Sequence, residues 1–382
     1  MQKVFSKIKQ LDPWIAFSYI GLCIIGVIMV YSASAGIQMQ NGGSPTGYLL
    51  RQSVFAVAGI IVAIVSSLMR LEALRSPKLL MIFFLGLLAM LLFVKLFGAA
   101  INGAQGWINL GFISIQPAEI VKLFLIVYLA NQFAHYNEQS GIYSIWSTRY
   151  PLIITALLLF LILIQPDFGG FAINSAIVIV MFLGSEINWR SGVRLLLSFL
   201  GVIVIGLPII ARFVVNHFHG YQVNRFVAYI NPFGNNSGVG SQLVNSYYAI
   251  SNGGLTGVGL GNSIQKMGYL PEPNTDFILA IISEEMGWLM VAVILILIMI
   301  IVCRTIQLGV RVNSLYQALI CYGVATFIAV ETFFNIGGVS GLLPITGVTL
   351  PFISYGGSSM LVLSAAVGLV LNVSRQYKKQ QS

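Results

Sequence analysis

The stretch DFILAIISEEMGWLMVAVILILIMIIVC, residues 276 to 303, carries no charge after Glu285 and is apolar over the length a helix needs to cross a bilayer. Its reading decides the fold. Similar stretches recur near residues 14 to 33, 51 to 69, 78 to 97, 117 to 134, 150 to 166, 168 to 185, 191 to 212, 313 to 335 and 350 to 373. The expectation is an all-α, polytopic membrane protein of ten transmembrane helices, forming one integral membrane domain over residues 1 to 382. The composition agrees: 57% of the residues are hydrophobic and 8% are charged, against roughly a quarter charged in an ordinary soluble domain. A soluble, disordered, collagen-like or disulfide-stapled chain is excluded. The Gln165-Pro166-Asp167-Phe168-Gly169-Gly170 run reads either as a tight reversal between two short helices or as a break within a longer one.

Orientation follows from the basic residues. With the N-terminus inside, Lys3, Lys7, Lys9, Arg70, Arg75, Lys78, Arg149, Arg190, Arg194, Arg304, Arg311, Arg375, Lys378 and Lys379 all fall in cytoplasmic segments. Both termini are then cytoplasmic. The net charge of +9 is topological, which argues against nucleic acid as a partner. Only Arg51, Lys95, Lys122, Arg212, Arg225 and Lys266 remain for the membrane or the outer side. Most acids are there too: Glu119, Asp167, Glu272, Asp276, Glu284, Glu285 and Glu331. Ionisable groups at membrane depth usually face a polar cavity, so the working side is the extracytoplasmic one. The apolar run after Lys9 is too long for a usual signal peptide and reads as an uncleaved first helix. Cys23, Cys303 and Cys321 all fall in expected helices, where they serve as small apolar side chains.

Residues 213 to 275 form a large extracytoplasmic loop between helices 7 and 8, rich in Gly, Asn, Tyr and Ser. A connection of this length carries function more often than not. Within it, Ser246 to Ile250 reads as a short amphipathic helix stopped by Gly253-Gly254. The Gly257-Val258-Gly259-Leu260-Gly261 run lacks the strand and helix of a nucleotide fingerprint, although its amides could hold a phosphate. His217 and His219 have no partners at zinc-ligand spacing.

Asp276 stands out at the outer mouth of the eighth helix. Asn274 or Thr275 would cap that helix and Asp276 would occupy its first turn, either complementing the helix dipole or acting as a general base. Glu119 and Lys122 share a helix face and can pair, with Lys122 either neutralised or aimed at an anionic substrate. Asp167 and Glu331 read as helix-linking groups unless a site recruits them. From composition alone, a transporter or lipid flippase is the leading alternative to an enzyme, with a scaffold as a third reading.

The motifs Gly106-Trp107-Ile108, Gln116-Pro117-Ala118-Glu119-Ile120-Val121-Lys122, Gln165-Pro166-Asp167, Gly261-Asn262-Ser263, Leu270-Pro271-Glu272, Thr275-Asp276-Phe277-Ile278, Glu284-Glu285-Met286-Gly287, Gly341-Leu342-Leu343-Pro344, Leu350-Pro351-Phe352 and Ser354-Tyr355-Gly356-Gly357-Ser358-Ser359 occur in this order along nearly the whole chain. They resemble the SEDS (RodA/FtsW) family of shape, elongation, division and sporulation proteins. The wording of Gly261 to Lys266 and of Thr346 to Pro351 is closer to the family's division members from Gram-positive bacteria than to its elongation members. The chain departs from the family at Gln105-Gly106, where paired arginines are frequent, and at Asn274, where histidine is frequent.

The resemblance implies a peptidoglycan glycosyltransferase that polymerises lipid II on the outer membrane face, beside a class B penicillin-binding protein and other division proteins. Asp276 corresponds to the family's essential acid. The substrate-binding set it suggests is Gln116, Glu119, Lys122, Asp167, Arg225, Lys266, Glu272 and Ser354. Joining a sugar hydroxyl to an anomeric carbon that bears a lipid diphosphate needs a base for the hydroxyl and positive charge for the diphosphate. Asp276 fits the first role, and Arg225, Lys122 and Lys266 are candidates for the second. A divalent cation, Mg or Mn, could assist, but no ligand set in the sequence demands one. The Ser263-Ile264-Gln265-Lys266 spacing lacks the companions of an acyl-transfer site and reads as a chance match.

Overall fold

The computed structural model describes residues 10–40, 42–101, 104–111, 114–140, 149–185, 221–234 and 238–381. The span expected at 191 to 212, together with Lys3, Lys7, Lys9, Glu186, Arg190, Arg194, Arg212, His217 and His219, lies outside the described residues. Among the described residues, seven helices are long and apolar enough to cross a membrane. They are α1 (Pro13–Gln40), α2 (Gly47–Leu68), α3 (Pro77–Phe97), α4 (Pro117–Ser140), α9 (Ile278–Arg311), α10 (Leu315–Ser340) and α11 (Gly357–Gln381). Two shorter apolar helices, α5 (Arg149–Ile164) and α6 (Phe168–Leu183), stand between α4 and the loop region, which holds α7 (Tyr221–Ile230) and α8 (Val239–Gly253).

Burial sorts the helices. In α4 and α11 83% of the span is buried, whereas in α3 only 22% is, and Ile82, Leu85 and Phe93 of α3 point outward. A helix that is apolar all round and mostly exposed has lipid as its neighbour. α11 meets α2 closely because Gly368 brings no side chain: a Cβ there would lie 2.5 Å from the Ala63 carbonyl oxygen and 2.6 Å from Ser66 Cβ. Small residues allow such backbone approach where lipid supplies no hydrophobic drive.

Three expectations are refined. The chain is not purely α-helical: β1 (Ala99–Ile101), β2 (Ala104–Asn109) and β3 (Ser114–Ile115) make an antiparallel sheet between α3 and α4, in register at Ala99 with Trp107 and Asn109 with Ser114. The Gln165 to Gly170 run is a tight reversal. Asp167 caps α6 by accepting a hydrogen bond from the Gly170 amide at 2.7 Å, which satisfies one of the open donors of that helix end. The helix expected from Asp276 begins at Ile278 and has no side-chain cap, so neither Asn274 nor Thr275 serves as one.

α9 is broken at Gly287, whose φ of 71° and ψ of −177° are not helical. The backbone of 254 to 259 lies against the break. Val258 and Gly259 amides donate to the Glu284 and Glu285 carbonyls at 2.9 Å, and Trp288 and Leu289 amides donate back to Gly254 and Leu255. Main-chain groups freed at membrane depth are therefore paired by the loop. This also explains the glycine run: the Val258 and Gly259 amides are taken up by α9 rather than offered to a phosphate.

Candidate active site

A cavity of about 520 Å³ opens where the broken helix, the loop and the small sheet converge. Tyr48, Arg51 and Phe55 of α2 line one side, and Trp107, Asn109 and Ser114 of the sheet another. Gln116, Glu119 and Lys122 enter from the start of α4, Asp167 from the cap of α6, and Arg225 from α7. Glu272, Asn274 to Asp276, Thr346 to Thr349 and Tyr355 to Gly357 close it. Seven of the nine residues singled out from sequence meet here: Gln116, Glu119, Lys122, Asp167, Arg225, Glu272 and Asp276.

The other two do not line it. Ser354 is turned into the fold, where its hydroxyl donates to the Thr275 carbonyl at 2.6 Å and accepts from the Leu350 amide at 2.8 Å. Lys266 is buried, and its Nζ lies 2.5 Å from Glu285 Oε1 and 3.2 Å from Ser32 Oγ. The expectation that Lys266 faces a departing diphosphate is not met by this placement. Ser263 likewise donates to Glu284, which also accepts from Asn252 Nδ2 and the Ile264 and Gln265 amides.

Asp276 is half-buried, and its carboxyl pKa is pushed up to about 6. Burial is the main cause and the neighbouring Glu272 carboxylate adds to it, while the Arg225 guanidinium and the Thr275 hydroxyl oppose it. A carboxylate tuned this way is largely ionised near neutral pH and is a better proton acceptor than an ordinary aspartate.

Lys122 is held differently. Its Nζ lies 2.6 Å from Glu119 Oε1 and 3.5 Å from Glu331 Oε2, and it sits 4.8 Å from the centre of the Phe327 ring. Thr349 and Ser359 hydroxyls donate to Glu331 Oε1 at 3.2 and 3.4 Å. Asp167 accepts from Gln116 Nε2 at 3.1 Å. Two carboxylates compensate Lys122, so it offers little net charge to an anion. Arg51 is exposed on the cavity wall and makes no salt bridge among the described residues. Sequence reasoning passed it over although it was one of six basic groups not assigned to the cytoplasm. Among the described residues no group of three or more potential ligands could hold a metal ion; Glu119, Asp167, Glu272 and Asp276 are the carboxylates on the cavity wall.

A carboxylate of raised pKa beside cations in a cavity lined by apolar helices suits transfer chemistry on an anionic amphiphile. Comparison with known proteins points the same way. A family model described as a cell cycle protein, FtsW/RodA/SpoVE, matches residues 13–379. The probable peptidoglycan glycosyltransferase FtsW of Lactococcus lactis is 37% identical over 98% of this chain and 95% of its own, and that of Bacillus subtilis is 38% identical over 98% and 93%. The stage V sporulation protein E of Bacillus subtilis is 38% identical over 93% and 94%. Among solved structures, a chain of a peptidoglycan synthase complex that coordinates polymerisation and crosslinking is 27% identical with a TM-score of 0.77, covering 96% of this chain and 98% of that one. The rod shape determining protein RodA of Thermus thermophilus is 26% identical with a TM-score of 0.68, over 96% and 97%.

Proposed function

The chain belongs to the FtsW/RodA/SpoVE family of cell cycle proteins, and from that premise we propose that it is a peptidoglycan glycosyltransferase which polymerises lipid II at the outer face of the cytoplasmic membrane. Septal wall synthesis during division is the role proposed for it, and its likeness to proteins named FtsW supports that reading. Its transpeptidase partner is a class B penicillin-binding protein, in keeping with the synthase complex among its structural neighbours. The topology that goes with this reading has ten spans: the seven long helices, α5, α6 and the stretch at 191 to 212. Both termini are cytoplasmic, and the 213 to 275 loop lies outside.

The observation that carries the proposal is Asp276, a carboxylate with its pKa raised to about 6 in a cavity it shares with Arg225 and Arg51. The acceptor sugar hydroxyl attacks the anomeric carbon of the donor. Its proton passes to the Asp276 carboxylate as the new C–O bond forms. The bond from that carbon to the lipid diphosphate breaks, and the diphosphate leaves as an anion already stable enough to need no proton. Arg225 and Arg51 meet the charge that develops on it. A divalent cation bound with the diphosphate would add charge neutralisation next to Glu272 and Asp276; the protein groups named here do not depend on it.

The buried Glu119, Lys122 and Glu331 group would also suit a transporter's charge relay. The deciding experiment is glycan polymerisation from labelled lipid II by the purified protein with its class B penicillin-binding protein. The parent makes polymer and an equally stable Asp276→Asn variant makes none. Equal polymer from both removes Asp276 from the chemistry; none from either, with translocation of lipid II in vesicles, favours transport.

A further inference from the structure

Asp276 is the second residue before a helix that starts without a cap, so something outside its own segment must hold it. The Tyr355 amide donates to the Asn274 carbonyl at 2.8 Å and Ser354 Oγ donates to that of Thr275. The Asp276 carbonyl itself accepts from Asn335 Nδ2 at 2.8 Å, and the same amide donates to the Val348 carbonyl, also at 2.8 Å. Asn335 is buried on α10 and spends both donors on these two carbonyls, while its Oδ1 has no hydrogen-bond partner among the described residues.

The second carbonyl matters because of its neighbour. Gly347 has φ +74° and no side chain, and the Arg225 guanidinium packs closely against that bare backbone: a Cβ at Gly347 would lie 3.3 Å from Arg225 Nη2. The Thr346 to Thr349 segment is thus a seat for the cation. One turn earlier on the same face of α10, Glu331 holds Lys122 and Thr349.

We propose that Asn335 is a positioning residue for glycosyl transfer: its amide locks the backbone of Asp276 to that of Val348 and so sets the distance between the base and the Arg225 guanidinium seated over Gly347. The inference rests on the reading of Asp276 as the base. Two groups that act on opposite ends of one displacement must keep a fixed separation, and misplacement by about 1 Å can cost on the order of a hundredfold in rate.

The test is Asn335→Leu, similar in shape but without donors, beside Asn335→Gln, which keeps the amide, assayed for polymerisation against lipid II concentration and pH. The proposal expects kcat to fall by about a hundredfold in Asn335→Leu with KM changed less than about threefold, and at least a tenfold recovery in Asn335→Gln. The charged groups facing Asp276 are Glu272 and Arg225. Loosening the segment changes their distances, so the acid limb of the kcat/KM profile also moves. A kcat within about threefold of the parent overturns the proposal, as does a loss proportional to lost folded protein with the acid limb unmoved. If Asn335→Leu does not survive extraction, Asn335→Ser, smaller and able to donate only once, decides on the same criteria. Asp276→Asn run in parallel separates the two readings: retained polymer there removes the base itself, whereas a dead Asp276→Asn beside a normal Asn335→Leu removes only the positioning role.

Discussion

Lys266 Nζ lies 2.5 Å from Glu285 Oε1, and both side chains are buried. The pair joins the connection between α8 and α9 to the turn of α9 just before its break, and Ser32 Oγ brings α1 into the same group by donating to Glu285 Oε2 at 2.6 Å. The Leu270 amide bonds the Gln265 carbonyl at 2.9 Å, and Asn245 Nδ2 donates to that of Tyr269. The turn that leads to Glu272 and Asp276 is therefore anchored to two membrane helices. Lys266 is a structural cation.

Removing one member of such a pair strands a buried charge. Lys266→Met is expected to destabilise the protein by about 3–5 kcal/mol. The double variant Lys266→Met/Glu285→Gln, in which neither charge remains, should recover most of that loss. Thermal unfolding of the detergent-solubilised protein reads both. A single variant as stable as the parent would show that the pair does not hold the loop.

The acid limb of the pH profile should lie near 6. A carboxylate acts as a base only when ionised, and the pKa of Asp276 is raised from the ordinary aspartate value to about 6, so on the proposed mechanism activity is full above that pH and falls as pH drops through it. Glu272→Gln removes the like charge that contributes to the rise, which moves the limb to lower pH. The stability sign is opposite. A raised carboxyl pKa means that the fold disfavours the ionised form, and stability is lost as pH rises from about 4 to about 6. Asp276→Asn, inactive, should therefore be at least as stable as the parent at neutral pH. An inactive variant that is markedly less stable would point to a structural acid.

Arg51 and Lys122 should separate experimentally. Arg51→Gln leaves no buried charge behind, since Arg51 is exposed and makes no salt bridge among the described residues, and its stability should stay within about 0.5 kcal/mol of the parent. Polymerisation should nevertheless fall by about tenfold to a hundredfold, as for loss of one group that stabilises developing charge. Lys122→Met leaves Glu119 and Glu331 facing each other, so its first effect is on folding. A stable, fully active Arg51→Gln would exclude Arg51 from diphosphate binding.

How far the sequence could be read follows from what each signal depends on. Spans are written in local hydropathy, and the described ones stand where the apolar runs are. Gln116, Glu119, Lys122, Asp167, Arg225, Glu272 and Asp276 were legible as expensive charges or motif members, and they do meet in one cavity. Which way a side chain turns is a tertiary fact. Lys266 and Arg51 were both among the six basic groups not assigned to the cytoplasm, and only Lys266 was read as a site residue, yet it is sealed against Glu285 while Arg51 faces the cavity. The sheet at 99 to 115 is three short strands with glycines between, too brief to show a period. The role of Asn335 depends on two carbonyls distant in the chain and leaves no local mark at all.

The break in α9 yields the last prediction. Gly287 has φ 71°, where a residue with a Cβ is strained by about 1–3 kcal/mol. Space adds to strain, because a Cβ there would overlap the Leu255 carbonyl oxygen and come within 2.5 Å of the Gly257 amide nitrogen. Gly287→Ala must therefore either straighten α9 or push the 254 to 259 backbone away, and each outcome breaks the bonds from Val258 and Gly259 to Glu284 and Glu285. Met286 and Trp288 flank the break, so no adjacent glycine can take over the left-handed turn. The turn before Glu272 hangs on that same stretch of α9, so the variant should lose both stability and polymerisation, and protease access to the 254 to 270 segment should rise. A Gly287→Ala protein with parent-like proteolysis and activity would show that the helix tolerates an unbroken path and that the loop is held by Glu284 and Lys266 alone.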